Sequence, residues 1–261
     1  MRNLSATFAL ACAFSVPIAC RSGAPAVGSP ERAAHCTYVE EGSGPRGSVR
    51  IRVETVVTGL DVPWGIAFLP DGAMLVTERP GRVRLVRGGS LVANPVARVP
   101  AAAEGEGGLM GIALHPEFAT NRFFFVYYSA RRGDDTVNRV ERYRLAEDSA
   151  SATPDRVILD GIPAAQNHDG GRLRFGPDGM LYIGTGDASE PDDAQNAQNL
   201  AGKLLRLTPD GEVPPDNPRP RSPVFLTGVR NTQGFDWRDR DTLVLTDHGP
   251  SGERFRSGHD E

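Results

Sequence analysis

Cysteine is scarce: the 261-residue chain holds three, Cys12, Cys20 and Cys36. Cys12 falls in an N-terminal segment expected to be removed, which leaves two cysteines and no cysteine-based metal site. An excess of charge of one sign is also lacking. Lys and Arg number 29 against 33 Asp and Glu, a net charge of −4 with the signs interspersed. The Arg-rich stretch Arg82 to Arg87 carries Val and Leu between its arginines, as a strand does, so nucleic acid is not an expected partner. No apolar run is long enough for a confident membrane span. Nor does any long amphipathic helical period appear; the best helical candidate, Ala194 to Leu200, is short.

The N-terminus reads Met1-Arg2-Asn3 and then an apolar stretch, Leu4 to Ala19, broken only by small polar residues, which fits an export signal. Ile18-Ala19-Cys20 looks like the end of a bacterial lipoprotein signal, with Cys20 as the lipidated first residue of the mature protein. Membrane attachment through Cys20, in the periplasm or at the outer membrane, is therefore expected. If Cys20 is not lipidated, it and Cys36 could pair in an oxidising compartment. Residues 21–47 are rich in Gly, Pro, Ser and Ala without periodicity and read as a flexible tether. The domain reading is a signal over 1–20, a tether over 21–47 and a folded domain over 48–261.

What the sequence does have is glycine and proline along its whole length, 30 and 21 residues, together with 39% apolar content. Short strands joined by tight turns account for both. From Ile51 a pattern recurs: an apolar strand, a turn such as Pro-Asp-Gly, a second apolar strand, then charged or glycine-rich residues. The clearest copies are GIAFLPDGAMLVTERPGRVRLV (Gly65 to Val86) and RLRFGPDGMLYIGTGD (Arg172 to Asp187). Weaker copies are GIALHPEFATNRFFFVYYSA (Gly111 to Ala130) and GFDWRDRDTLVLTDHGP (Gly234 to Pro250). Phe68, Leu114, Phe175 and Asp236 fall at matching places, 46, 61 and 61 residues apart, close to the spacing of propeller blades with insertions. Proline presets φ at the first central turn position and glycine supplies a positive φ, so each Pro-Asp-Gly marks a hairpin reversal. Leu75-Val76-Thr77, Phe125 to Tyr128, Leu181 to Gly184 and Leu243 to Thr246 suit strands buried on both faces between neighbouring blades. The expected fold is all-β, a β-propeller with about four blades visible and an open or incomplete ring.

In order along the chain, DVPWGIAFLPDGAMLVTERPGRVRLV, GEGGLMGIALHPEFATNRFFFVYYS, NHDGGRLRFGPDGMLYIGTGDA, QNLAGKLLRLTPDGEVPPDNP and GVRNTQGF…DHGPSG resemble the glucose/sorbosone dehydrogenase family of six-bladed propellers. The resemblance runs from about Val56 to the C-terminus. It implies a dehydrogenase that uses pyrroloquinoline quinone (PQQ) and calcium to oxidise aldose sugars at the anomeric carbon, passing electrons to an external acceptor.

By that resemblance His168, in Asn167-His168-Asp169-Gly170-Gly171, is the general base that takes the C1 hydroxyl proton. Imidazole suits the task because its ordinary pKa, about 6.5, leaves it largely neutral at pH 7. Asp169 either orients the imidazole or holds the turn. Arg230 and Asn231 match the family's quinone-contacting pair, where a fixed positive charge stabilises developing anionic oxygens. Gln233 either assists or braces the loop. Glu106 stands where bacterial members often carry a cofactor-binding glutamine; a carboxylate there is a departure that sets negative charge beside an anionic quinone. Asp247-His248-Gly249-Pro250 resembles a turn whose Gly249 and Pro250 carbonyl oxygens bind calcium, a hard cation. Lys203 follows the family pattern and reads as structural. The chain closes on Gly258-His259-Asp260-Glu261, similar to a family motif that precedes further blades. Two readings from other classes stand beside the enzyme: a non-catalytic propeller that binds protein or carbohydrate, and an inactive truncated product of the dehydrogenase.

Overall fold

The structure, a computed structural model, describes residues 54–249 and, before them, the backbone of two short antiparallel strands, β1 (Thr37–Tyr38) and β2 (Pro45–Arg46). Two compact units divide the chain, Met1–Glu54 and Thr55–Glu261; β1 and β2 belong to the first and all other elements to the second. The export segment 1–20 with Cys20, Cys36, Pro250 and residues 258–261 lie outside the described residues, as does the tether apart from those two strands.

The second unit is all-β, with four antiparallel sheets in chain order. The first contains β3 (Pro63–Phe68), β4 (Met74–Glu78), β5 (Arg82–Arg87) and β6 (Ser90–Leu91), with β7 (Ala97–Arg98) also pairing β5. The second contains β8 (Leu109–Leu114), β9 (Phe123–Arg132), β10 (Asp135–Leu145) and β11 (Ala152–Pro163). The third contains β12 (Leu173–Phe175), β13 (Leu181–Gly184), β14 (Lys203–Leu207) and β15 (Val224–Thr227). The fourth is the pair β16 (Thr232–Asp239) and β17 (Thr242–Asp247). Each of the four repeat copies covers the first hairpin of one sheet.

Turn chemistry fixes two of those hairpins. Between β3 and β4, Gly72 adopts φ 82° and donates to the Leu69 carbonyl at 2.9 Å; between β12 and β13, Gly179 at φ 76° donates to Gly176 at 2.9 Å. The same Pro-Asp-Gly chemistry recurs at Pro209-Asp210-Gly211 after β14, where Gly211 has φ 87°.

Side-chain alternation along the strands builds the core. Phe124, Val126 and Tyr128 of β9 pack with Leu75, Val83 and Leu85 of the first sheet, while Phe125 and Tyr127 pack with Leu173, Leu181 and Ile183 of the third. Tyr182 and Leu204 then face Phe235, Trp237, Leu243 and Leu245 of the fourth. Every second residue of a strand thus serves one interface and its neighbours serve the next. Burying each such side chain contributes about 1.5–3 kcal/mol, so no sheet is stable without its neighbours. One expectation fails here. Leu243 to Thr246 is not buried on both faces: Val244 is 53% exposed, because β17 belongs to a two-stranded sheet with one uncovered face among the described residues.

The helical expectation also shifts. The structure has α1 (Phe118–Asn121) and α2 (Pro191–Gln195), the latter ahead of the anticipated 194–200. Pro191 at the helix start and Asp192 and Asp193 in the first turn favour initiation there. Asn196 and Asn199 then accept backbone N–H groups from Gln198 at 3.0 Å and Ala201 at 2.7 Å, local bonds that compete with helix continuation. Among the described residues no helix is long and apolar enough to cross a membrane.

Lys203 braces the segment that follows α2. Fully buried, its Nζ donates to the carbonyls of Asp193 at 2.7 Å, Ala194 at 2.9 Å and Ala201. Lys203→Ala removes the Nζ donor from three carbonyls, of which Asp193 still accepts the Asn196 N–H at 3.1 Å and Ala194 the Gly228 N–H at 2.9 Å, and urea unfolding is expected to show a loss of about 2 kcal/mol. Burial also pushes the Lys203 pKa down from 10.5 to about 8. The unfolded chain therefore holds this proton more tightly, so the stability this group contributes rises between about pH 8 and 10.5 and is lost as pH falls back through 8. That rise should be absent from the alanine variant.

Candidate active site

The loop before β12 reverses sharply. His168, Gly170 and Gly171 all take positive φ, 64°, 66° and 109°. Glycine is required at 170, where a Cβ would lie 2.5 Å from the Thr185 backbone. Asp169 between them turns inward, 2% exposed; its Oδ1 accepts from Asn138 Nδ2 at 2.8 Å and Ala165 N–H at 3.3 Å. Tyr127 donates its hydroxyl to the Asp169 carbonyl at 2.7 Å. Burial pushes the Asp169 carboxyl pKa up, against the lowering effect of the Asn138 bond. Of the two roles open to Asp169 in the sequence, the geometry matches holding the turn.

The imidazole is oriented by a residue that the sequence reading did not single out. His168 Nδ1 lies 2.7 Å from Asp187 Oδ1, and Asp187 is 2% exposed. In the neutral ring, a carboxylate at Nδ1 favours the tautomer with its proton there and the lone pair on Nε2. The same Asp187 oxygen accepts the Ser189 N–H at 2.8 Å. A signal for this pairing was present in the topology. His168 precedes β12 and Asp187 follows β13; an antiparallel hairpin returns its last residue to the level of its first. Gly186 permits the approach, since a Cβ there would fall 1.9 Å from the His168 carbonyl oxygen.

Arg230 and Asn231 arrive from the connection between β15 and β16. The Asn231 side-chain oxygen accepts the Gly170 N–H at 2.9 Å, and the Asp187 N–H donates to the Arg230 carbonyl at 2.7 Å. Asp247, at the end of β17, fixes both residues by accepting the Arg230 N–H at 2.7 Å and the Asn231 N–H at 2.8 Å. The half-buried Arg230 guanidinium donates to the His248 carbonyl. Gly249 packs against it so closely that a Cβ would lie 2.5 Å from Arg230 Cδ. Glu106 completes the cluster, its Oε2 accepting the His168 N–H at 2.9 Å.

Glu106, His168, Arg230 and Asn231 are thus joined through single hydrogen bonds or shared partners, and Gly249 abuts Arg230. Gln233 stands apart. Its side chain is exposed, and its carbonyl accepts Arg172 Nε at 2.7 Å. Pro250 lies outside the described residues. Among the described residues no cluster of three or more His, Cys, Asp or Glu side chains could hold a metal, so a calcium ion at this corner would draw on carbonyl oxygens. The donor set suits a quinone with anionic edges on three counts. A guanidinium is held in place, His168 lies in the same cluster with one ring nitrogen not bonded to Asp187, and the carboxylates of contrary charge, Glu106, Asp187 and Asp247, each have oxygens engaged by N–H donors.

The glucose/sorbosone dehydrogenase family model matches residues 60–261. Aldose sugar dehydrogenase YliI of Escherichia coli K12 is 37% identical over 215 residues, covering 77% of this chain and 57% of that protein. Quinoprotein glucose dehydrogenase B of Acinetobacter calcoaceticus is 28% identical over 232 residues, covering 77% and 48%. The PQQ-bound aldose sugar dehydrogenase of Streptomyces coelicolor superposes with a TM-score of 0.70 at 39% identity, covering 76% of this chain and 60% of that one. The chain therefore spans about half to three fifths of the length of these relatives. With the family model spanning the unit that carries the His168 cluster, the chain belongs to the glucose/sorbosone dehydrogenase family.

Proposed function

We propose that the four sheets are successive blades of a six-bladed propeller and that the His168 cluster is the active site of a PQQ- and calcium-dependent aldose dehydrogenase. The observation that carries this reading is the His168–Asp187 pair beside the Arg230-Asn231 segment. PQQ, when bound, supplies the hydride acceptor, with calcium as its clamp. His168 Nε2 takes the proton of the C1 hydroxyl as the anomeric carbon is oxidised, giving the lactone. Arg230 offsets negative charge that develops at the reacting centre, where a preorganised cation acts without reorganisation. Asn231 contributes to the cofactor's polar surroundings, and the Gly249 and Pro250 carbonyls are the calcium ligands. An external acceptor then removes the electrons.

The same proposal covers location. Residues 1–20 direct export, Cys20 carries the lipid, residues 21–47 tether the domain of 48–261, and the protein works in the periplasm or at the outer membrane. Purified protein supplied with PQQ and calcium should reduce an artificial dye when an aldose is added, and lose this activity when calcium is chelated. Dye reduction that needs neither addition, or none with both, would contradict the assignment.

A further inference from the structure

Glu106 lies 62 positions before His168, yet it is the side chain that holds the histidine's backbone. Its Oε2 accepts the His168 N–H at 2.9 Å, while its own N–H donates to the Gln166 carbonyl at 2.8 Å. The two loops are therefore clasped in both directions. Gly105 lets them close, because a Cβ there would lie 2.2 Å from the Gln166 carbonyl oxygen. His168 needs such a clasp: at φ 64° it adopts a left-handed conformation that a non-glycine residue keeps only when its surroundings over-determine it. On its carbonyl side it has a longer bond, from the Ala188 N–H at 3.2 Å.

We propose that Glu106 is a positioning residue for the base: its carboxylate fixes the His168 amide, and through it the direction in which the imidazole leaves the backbone. The inference rests on the reading of His168 as the base and adds a role that does not depend on contact with the cofactor. A carboxylate has two oxygens, and Oε2 is committed to this bond. What the position requires is an acceptor, not a charge. Glutamine at 106 keeps an acceptor; alanine removes it, and methionine removes it at similar length.

The test combines amide exchange at His168 in the apo-protein with kcat, KM and PQQ affinity in the reconstituted holoenzyme. For Glu106→Ala and Glu106→Met the His168 amide should exchange about 10-fold faster and kcat fall about 10- to 100-fold, since small misplacements of a reacting group are costly. Aldose KM and PQQ affinity should stay within about twofold, and Glu106→Gln should match the wild type in every readout to the same margin. A Glu106→Ala protein with unchanged exchange and PQQ affinity weakened about 10-fold would make Glu106 a cofactor ligand and overturn the proposal. A Glu106→Gln protein that behaves like alanine would overturn the acceptor role. If the wild type proves inactive, the reading of the site fails, whereas the exchange measurement still decides whether the clasp exists.

Discussion

On the proposed reading, His168→Ala is expected to lower aldose-dependent dye reduction by about 10²- to 10⁴-fold, the range that a positioned general base contributes. The fold should survive this change. The imidazole is 15% exposed and among the described residues its one ring hydrogen bond is to Asp187, whose Oδ1 keeps the Ser189 N–H when the ring is gone. Alanine meets the left-handed backbone at a slightly higher cost than histidine, which is enriched there, so the unfolding midpoint should fall only a little. Circular dichroism and urea unfolding, measured beside the rate, separate the two effects. A variant that keeps its rate removes His168 from the chemistry, and one that loses both rate and fold shows that the residue was read too narrowly.

Asp187→Asn is the second large expected effect. Asp187 lies 2.7 Å from the imidazole Nδ1, and in the proposed mechanism it would act through the ring, first by favouring the tautomer with the proton on Nδ1, then by stabilising the charge the ring acquires on taking a proton. An amide of the same shape does neither reliably. Where a buried carboxylate supports a catalytic histidine, this substitution costs about 10⁴-fold, and a loss of about 10²- to 10⁴-fold in kcat is expected here. The Asn side-chain oxygen can still accept from Ser189, which keeps the loop in place. Because both residues serve one function, the double variant with His168→Ala should be no slower than His168→Ala alone. Additive losses would mean that Asp187 contributes by another route.

The elements that local chemistry specifies were legible in the sequence. Pro70-Asp71-Gly72 and Pro177-Asp178-Gly179 name their turns outright, and the aromatic and β-branched run Phe125 to Tyr128 predicts a strand with both faces covered. Legibility stops where a residue's fate depends on a distant partner. Nothing near Leu243 to Thr246 tells a reader that the next layer is absent beside β17 among the described residues, so a both-faces strand was expected and a half-covered one is found. The helix near 191–195 was misplaced for a local reason: the asparagines at 196 and 199 divert the backbone through side-chain bonds that a propensity reading does not weigh.

The candidate site divides in the same way. His168, Arg230 and Asn231 stand in short motifs that the sequence displays, and the fold brings them together through Asp187, Gly170 and Asp247. Asp187 was visible only as the end of a strand motif, and its pairing across 19 positions needs the hairpin register to be known. Asp169, adjacent to His168 in sequence, was a natural choice of orienting group. Backbone direction decides against it, since a positive φ at 168 sends consecutive side chains to different sides, and Asp169 turns to Asn138. Glu106 was read through its charge toward a cofactor, whereas its side chain accepts a backbone amide of the other loop.

The central claim, that His168 removes a proton from an aldose while the quinone accepts the hydride, is tested most directly by a single turnover without an external acceptor. Purified protein is loaded with stoichiometric PQQ in calcium under anaerobic conditions, an aldose is added, and the absorbance of the oxidised quinone is followed with time. The account predicts rapid loss of that absorbance in the wild type and a loss about 10²- to 10⁴-fold slower in His168→Ala at equal PQQ occupancy. PQQ that fails to bind the wild type, or that binds and stays oxidised in the presence of aldose, would contradict it.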